Sequence, residues 1–88
     1  MSLDTLPIIE DTSSARLLVR ERAEITFRSG KKSLAYVAGL TQDSKLIYDC
    51  DAIRIAGMLY IDQMHQVHTA LREIKSYVPL RPLLERVK

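Results

Sequence analysis

From Leu17 to Phe27 apolar side chains recur at every second position: Leu17, Val19, Ala23, Ile25 and Phe27 alternate with Leu18, Arg20, Arg22, Glu24 and Thr26. Period two predicts a β-strand with one buried face, interrupted by Glu21 on the inner side and Leu18 on the outer. A helix over residues 14–24, capped by Ser14, competes because Leu, Arg, Glu and Ala are good helix formers, but the alternation favours a strand. Ser29-Gly30 is a turn signal, and a second apolar run from Leu34 to Thr41 follows closely enough to make a hairpin. A two-residue loop would set Arg28 against Lys31. A four-residue loop of Ser29 to Lys32 avoids that like-charge pair and places Phe27 opposite Leu34 and Ile25 opposite Tyr36.

Gln42-Asp43-Ser44 marks the next turn and leads into Leu46 to Cys50. With those residues as the loop, Leu40 faces Leu46, Ala38 faces Tyr48 and Tyr36 faces Cys50, on the face that already holds Leu34. Gly39 weakens the middle strand and marks a bend or bulge where another part of the chain packs closely. The expectation is a three-stranded antiparallel meander with one apolar face.

After Asp51 the period changes. Ile53, Gly57, Tyr60, Met64, Val67, Leu71, Ile74 and Val78 are spaced by alternating steps of four and three, which lines one side of an α-helix. Asp51 is placed to cap its start, and Pro79 to end it by disfavouring helical geometry at Val78. Pro82 suits the first turn of a short terminal helix. The predicted fold is therefore α+β: an extended arm over residues 1–14, then a single unit over residues 15–88. In it the meander packs against one long amphipathic helix, with a short terminal helix after Pro79.

That helix carries more apolar surface than one sheet covers. Ile55, Met58, Leu59 and Ile61 lie off the main stripe, and Gly57 costs about 1 kcal/mol in a helix interior, a cost commonly kept where another backbone approaches. Ile55, Gly57, Met58, Leu59 and Ile61 are thus the expected contact surface for a second copy of the chain or a larger protein.

Apolar residues are 47% and charged residues 27% of the 88 residues, too apolar a mixture for disorder. No uncharged apolar run is long enough to span a membrane, and the start lacks a basic-then-apolar signal pattern, so a cytoplasmic location is expected. One cysteine, Cys50, cannot form an internal disulfide and fits a reducing compartment. It is expected on the buried side of the third strand. The net charge of +2 implies no particular partner. Its distribution is more informative, because Arg20, Arg22, Arg28, Lys31 and Lys32 gather on and around the predicted hairpin and form a candidate phosphate-binding ribbon. The alternative use of such charges is to protect a strand edge.

Candidate chemistry is thin. His65 and His68, three apart on the predicted helix with Asp62 one turn earlier, offer three ligands at most, and solvated helix histidines are the preferred reading. No Ser-His-Asp order, phosphate loop or zinc spacing is present. The sequence thus points to a small non-enzymatic binding or regulatory protein, with no metal, cofactor, membrane or small-molecule substrate inferred. It is expected to act through protein contacts as a homodimer via the long helix, the alternative being a nucleic-acid binder using the basic hairpin.

Overall fold

A computed structural model of the chain describes residues 3–80. Its strands are β1 (Arg16–Leu18), β2 (Glu21–Phe27), β3 (Lys32–Leu40), β4 (Lys45–Asp49), β5 (Ile53–Ile55), β6 (Met58–Asp62), β7 (Val67–Ala70) and β8 (Ile74–Leu80). They form two antiparallel sheets, a five-stranded one in the order β7-β4-β3-β2-β8 and a three-stranded one in the order β1-β6-β5. The only helical pieces among the described residues are short 3-10 turns, Leu3–Thr5, Gln63–His65 and Leu71–Glu73.

The long helix is therefore absent, and the α+β reading is corrected to an all-β architecture. The stretch expected to be one rod holds four strands. Asp51 caps nothing. Met64, assigned to the buried stripe, is 89% exposed. Gly57 sits at φ +82° after Ala56 at φ +52°, so the two residues are the paired left-handed positions of a two-residue hairpin turn that joins β5 to β6. Pro79 lies on the edge strand β8 opposite Ala23, where a residue without an N–H is tolerated. The short helix expected after Pro79 falls beyond the described residues.

The meander is present as β2-β3-β4, but its first hairpin has a different register. Phe27 N–H donates to the Lys31 carbonyl at 2.8 Å, and Glu24 lies opposite Leu34 and Arg22 opposite Tyr36. The loop is thus three residues, Arg28 to Gly30, closed by Gly30 in the left-handed region at φ +95°. A register changed by an odd number of residues reverses the faces. Ala35 and Val37 point inward and are fully buried, whereas Leu34 is 49% exposed. The second hairpin has the expected loop: Leu40 lies opposite Leu46, and Ser44 takes the left-handed position at φ +65°.

The five-stranded sheet is strongly rolled. Its edge strands β7 and β8 are joined only by the Leu71–Glu73 turn, whose three residues rise roughly 6 Å. Laid flat, four inter-strand steps of about 4.8 Å would separate those edges by roughly 19 Å. Inside the roll, Ala23, Ile25, Ala35, Val37, Leu46, Tyr48 and Ile74 form one core, plugged by Leu6 from the leading arm. On the outer surface a second core joins Ala38 and Ile47 to Leu17 and Ile61 of the small sheet, with Ile9, Val19 and Tyr36 packed around them.

The arm takes the place that β2 leaves vacant beside the end of β3. Ile9 N–H donates to the Leu40 carbonyl and Leu40 N–H to the Pro7 carbonyl. Ala38 is the extra residue of a bulge between Val37 and Gly39, and a Cβ at Gly39 would lie 2.5 Å from the Pro7 carbonyl oxygen. The bulge and close approach expected at Gly39 are thus observed, and the segment that approaches is the arm.

Candidate functional site

Residues directly opposed across an antiparallel pair project to the same side. In the small sheet, Leu17 pairs with Ile61 and Arg54 with Leu59, which defines the side turned toward the large sheet; Leu17 and Ile61 are buried there. Leu18 pairs with Tyr60, Ile53 with Tyr60 and Ile55 with Met58, which defines the other side. That side is open: Ile53 is 39%, Ile55 40% and Met58 47% exposed, with Leu18 and Tyr60 half-buried beside them. The Tyr60 hydroxyl approaches Met58 Sδ at 3.9 Å. Arg16, opposite Asp62, ends the apolar row with one charge of each sign.

An antiparallel sheet that covers a core with one face ordinarily presents polar side chains on the other. This one is apolar on both. A contiguous apolar surface on a small chain marks an interaction site more often than does a scattered exposed leucine.

The structure divides the sequence-predicted contact set. Ile55 and Met58 lie on the open face. Gly57 is in the turn with open space around it, Leu59 is on the inner side, and Ile61 is fully buried in the second core, so these three leave the site. Leu18, Ile53 and Tyr60 replace them. The signal that identifies Ile53 and Tyr60 is alternation on both sides of Ala56-Gly57, with Ile53 and Ile55 before and Met58 and Tyr60 after; Leu18 joins the face through the long-range β1–β6 pairing.

The basic residues separate likewise. Arg20 and Arg22 stand at the start of β2, and the Arg22 guanidinium lies 5.0 Å from the Tyr36 ring centroid, held against the outer core. Arg28, Lys31 and Lys32 stand at the other end, roughly 20 Å away along a strand of this length. There they meet Arg72 and Lys75, two cations that the helical spacing places on the expected rod. Arg28 Nε donates to the Arg72 carbonyl at 2.6 Å, and Arg28 N–H to the Glu73 carbonyl at 2.9 Å. Lys75 lies in the register shift where β8 passes Thr26 and Phe27. Arg72 approaches Glu73 at 3.9 Å, an exposed pair that contributes little.

The remaining candidates are dispersed. Asp62 accepts from Met64 N–H and caps the 3-10 turn that contains His65, while His68, on β7, faces the Gln66 side-chain oxygen at 3.2 Å. No three His, Cys, Asp or Glu side chains among the described residues are grouped to hold a metal ion. Cys50 is exposed just after β4 rather than buried, 3.3 Å from the Ser33 hydroxyl. At the β3–β4 turn the Thr41 hydroxyl donates to Asp43 and accepts from Lys45 N–H, and the Thr41 bond holds the Asp43 carboxyl below its ordinary range. This arrangement closes a turn. No helix among the described residues is long and apolar enough to cross a membrane. Compared with protein-family models, curated proteins and solved structures, the chain matches none.

Proposed function

We propose that this chain is a non-enzymatic binding module acting through protein–protein contact, and that a second copy of the chain occupies the outer face of the small sheet. The observation that supports this reading is the doubly apolar small sheet, with Leu18, Ile53, Ile55, Met58 and Tyr60 turned away from the core. A two-fold contact needs a patch complementary to itself, and an apolar row ended by one cation and one anion meets that need.

Edge pairing is the weaker route. β5 is an edge strand, but antiparallel pairing with its own copy about Arg54 would set two arginines face to face. Face stacking avoids this. Each face offers on the order of a few hundred Å² of apolar surface, so a stacked pair buries less than the roughly 1,200 Å² at which stable interfaces begin. The expected state is a reversible monomer–dimer equilibrium, and the proposed compartment is the cytoplasm, in keeping with a single cysteine.

Sedimentation velocity over a concentration series tests the reading. The wild-type chain shifts reversibly toward a dimer as concentration rises, and Ile55→Asp and Met58→Asp each abolish the shift. Because both side chains are exposed, folding stability changes by no more than about 0.5 kcal/mol. A wild-type chain that stays monomeric up to the highest attainable concentration refutes the proposal.

A further inference from the structure

The β2–β3 turn and the segment from Arg72 to Lys75 come together only in three dimensions. They place Arg28, Lys31, Lys32, Arg72 and Lys75 within one or two ladder steps of Phe27. Glu73 is the one carboxylate in these two segments. These two segments carry five cations and one anion, a local excess of +4. Asp49 and Asp51 approach the start of β3 from the β4 side, so the excess is local to the β2–β3 turn and the start of β8. Among the described residues Arg28, Lys31, Lys32 and Lys75 form no ion pair.

We propose that this end of the five-stranded sheet binds the phosphate backbone of a nucleic acid. Arg28 is the orienting residue. Its Nε is held by the Arg72 carbonyl, and its terminal amino groups, with no hydrogen bond among the described residues, are left for a bidentate contact with a phosphate. Lys31, Lys32 and Lys75 supply flexible point charges across β3, β2 and β8, a span of roughly 10 Å that suits a few successive phosphates. Ser29 at the apex adds a hydroxyl, while the Gly30 N–H is spent on the Phe27 carbonyl at 2.9 Å. The apex, Arg28 to Lys31, has no apolar side chain to enter a bilayer, which favours a nucleic acid over a lipid surface. No aromatic ring is fully exposed at this end, since Phe27 and Tyr77 pack against the inner core, so the contact is to backbone and tolerant of sequence.

The test is fluorescence anisotropy with a labelled single-stranded oligonucleotide of roughly a dozen nucleotides, alongside a duplex of equal length and vesicles containing anionic lipid. About four neutralised phosphates predict an affinity loss of roughly 50-fold for the single strand between about 50 and 200 mM salt. Lys31→Ser with Lys32→Ser, and Lys75→Ser separately, reduce the single-strand salt slope by about 0.7 per lysine removed. Arg20→Ser, at the far end of β2, leaves affinity unchanged. Arg28→Lys keeps the charge but weakens binding, because the oriented fork is lost. Absence of binding at low salt overturns the proposal. So does an Arg20→Ser loss equal to that of the lysine variants, or tighter binding to vesicles than to either oligonucleotide.

Discussion

Glu21 occupies an inner position of β2 where alternation asks for an apolar side chain, and it is only 8% exposed. A buried carboxylate needs donors, and the Tyr77 hydroxyl from β8 supplies one. Burial first, and then the hydrogen bond and charge of Glu21, push the Tyr77 phenol well above its ordinary value of 10.0. The sign of the linkage follows. In the unfolded chain this tyrosine ionises near pH 10, while the folded chain keeps the proton, so its contribution is complete below that pH and is lost as pH rises through and beyond it. Urea denaturation between about pH 8 and pH 11 is therefore expected to show falling stability at the alkaline end. Tyr77→Phe is expected to cost about 1–2 kcal/mol at neutral pH, because Glu21 loses a donor, and to flatten the alkaline decline. An equally steep decline in the variant would show that other groups cause it.

At the scale of elements, the chain was legible where partners are neighbours in sequence and misleading where they are not. Alternation from Ala23 to Phe27, the loop after Leu40 and the bulge at Gly39 depend on adjacent strands, and each was readable. The register of the β2–β3 hairpin is not, because the left-handed position at Gly30, rather than like-charge avoidance at Arg28 and Lys31, sets the loop length, and it turns Ala35 and Val37 inward in place of Leu34 and Tyr36. The helical stripe from Ile53 to Val78 had the right spacing for the wrong reason. β6 is completed by β1, and β8 by β2, pairings across more than forty residues that no local window contains. Within that stretch Ile53, Ile55, Ile61, Val67, Thr69, Ile74 and Val78 are β-branched, and Ala56-Gly57 is a turn, local signals that outweigh the period. Ala56 at φ +52° is an alanine in a conformation that asparagine accepts more readily. Ala56→Asn is expected to raise stability by about 0.5–1 kcal/mol in chemical denaturation, and a destabilised variant would argue that the turn is not of this type.

For the whole molecule, the decisive arrangement is that one rolled sheet has a core on each side. The inner core is closed by the arm through Leu6, and the outer one by the small sheet through Leu17 and Ile61. Strands of three to five residues do not hold together alone, so the small sheet depends on the large one for its stability. Ile61, fully buried, is the side chain that ties them. Ile61→Ala removes apolar contact and leaves a cavity, a loss of about 2–5 kcal/mol, and the loss should fall unevenly. Amide exchange at Leu59, Tyr60 and Ile61 is expected to lose protection in the variant before exchange at Ala23, Ile25 and Val37, because the inner core is untouched. Uniform loss would mean that both sheets unfold as one unit. The unequal outcome bears on the proposed surface as well: the outer row of Leu18, Ile53, Ile55, Met58 and Tyr60 is held in place only while Ile61 anchors the opposite face. Ile61→Ala should therefore weaken self-association without touching the row itself, and leave the basic end of the large sheet able to bind.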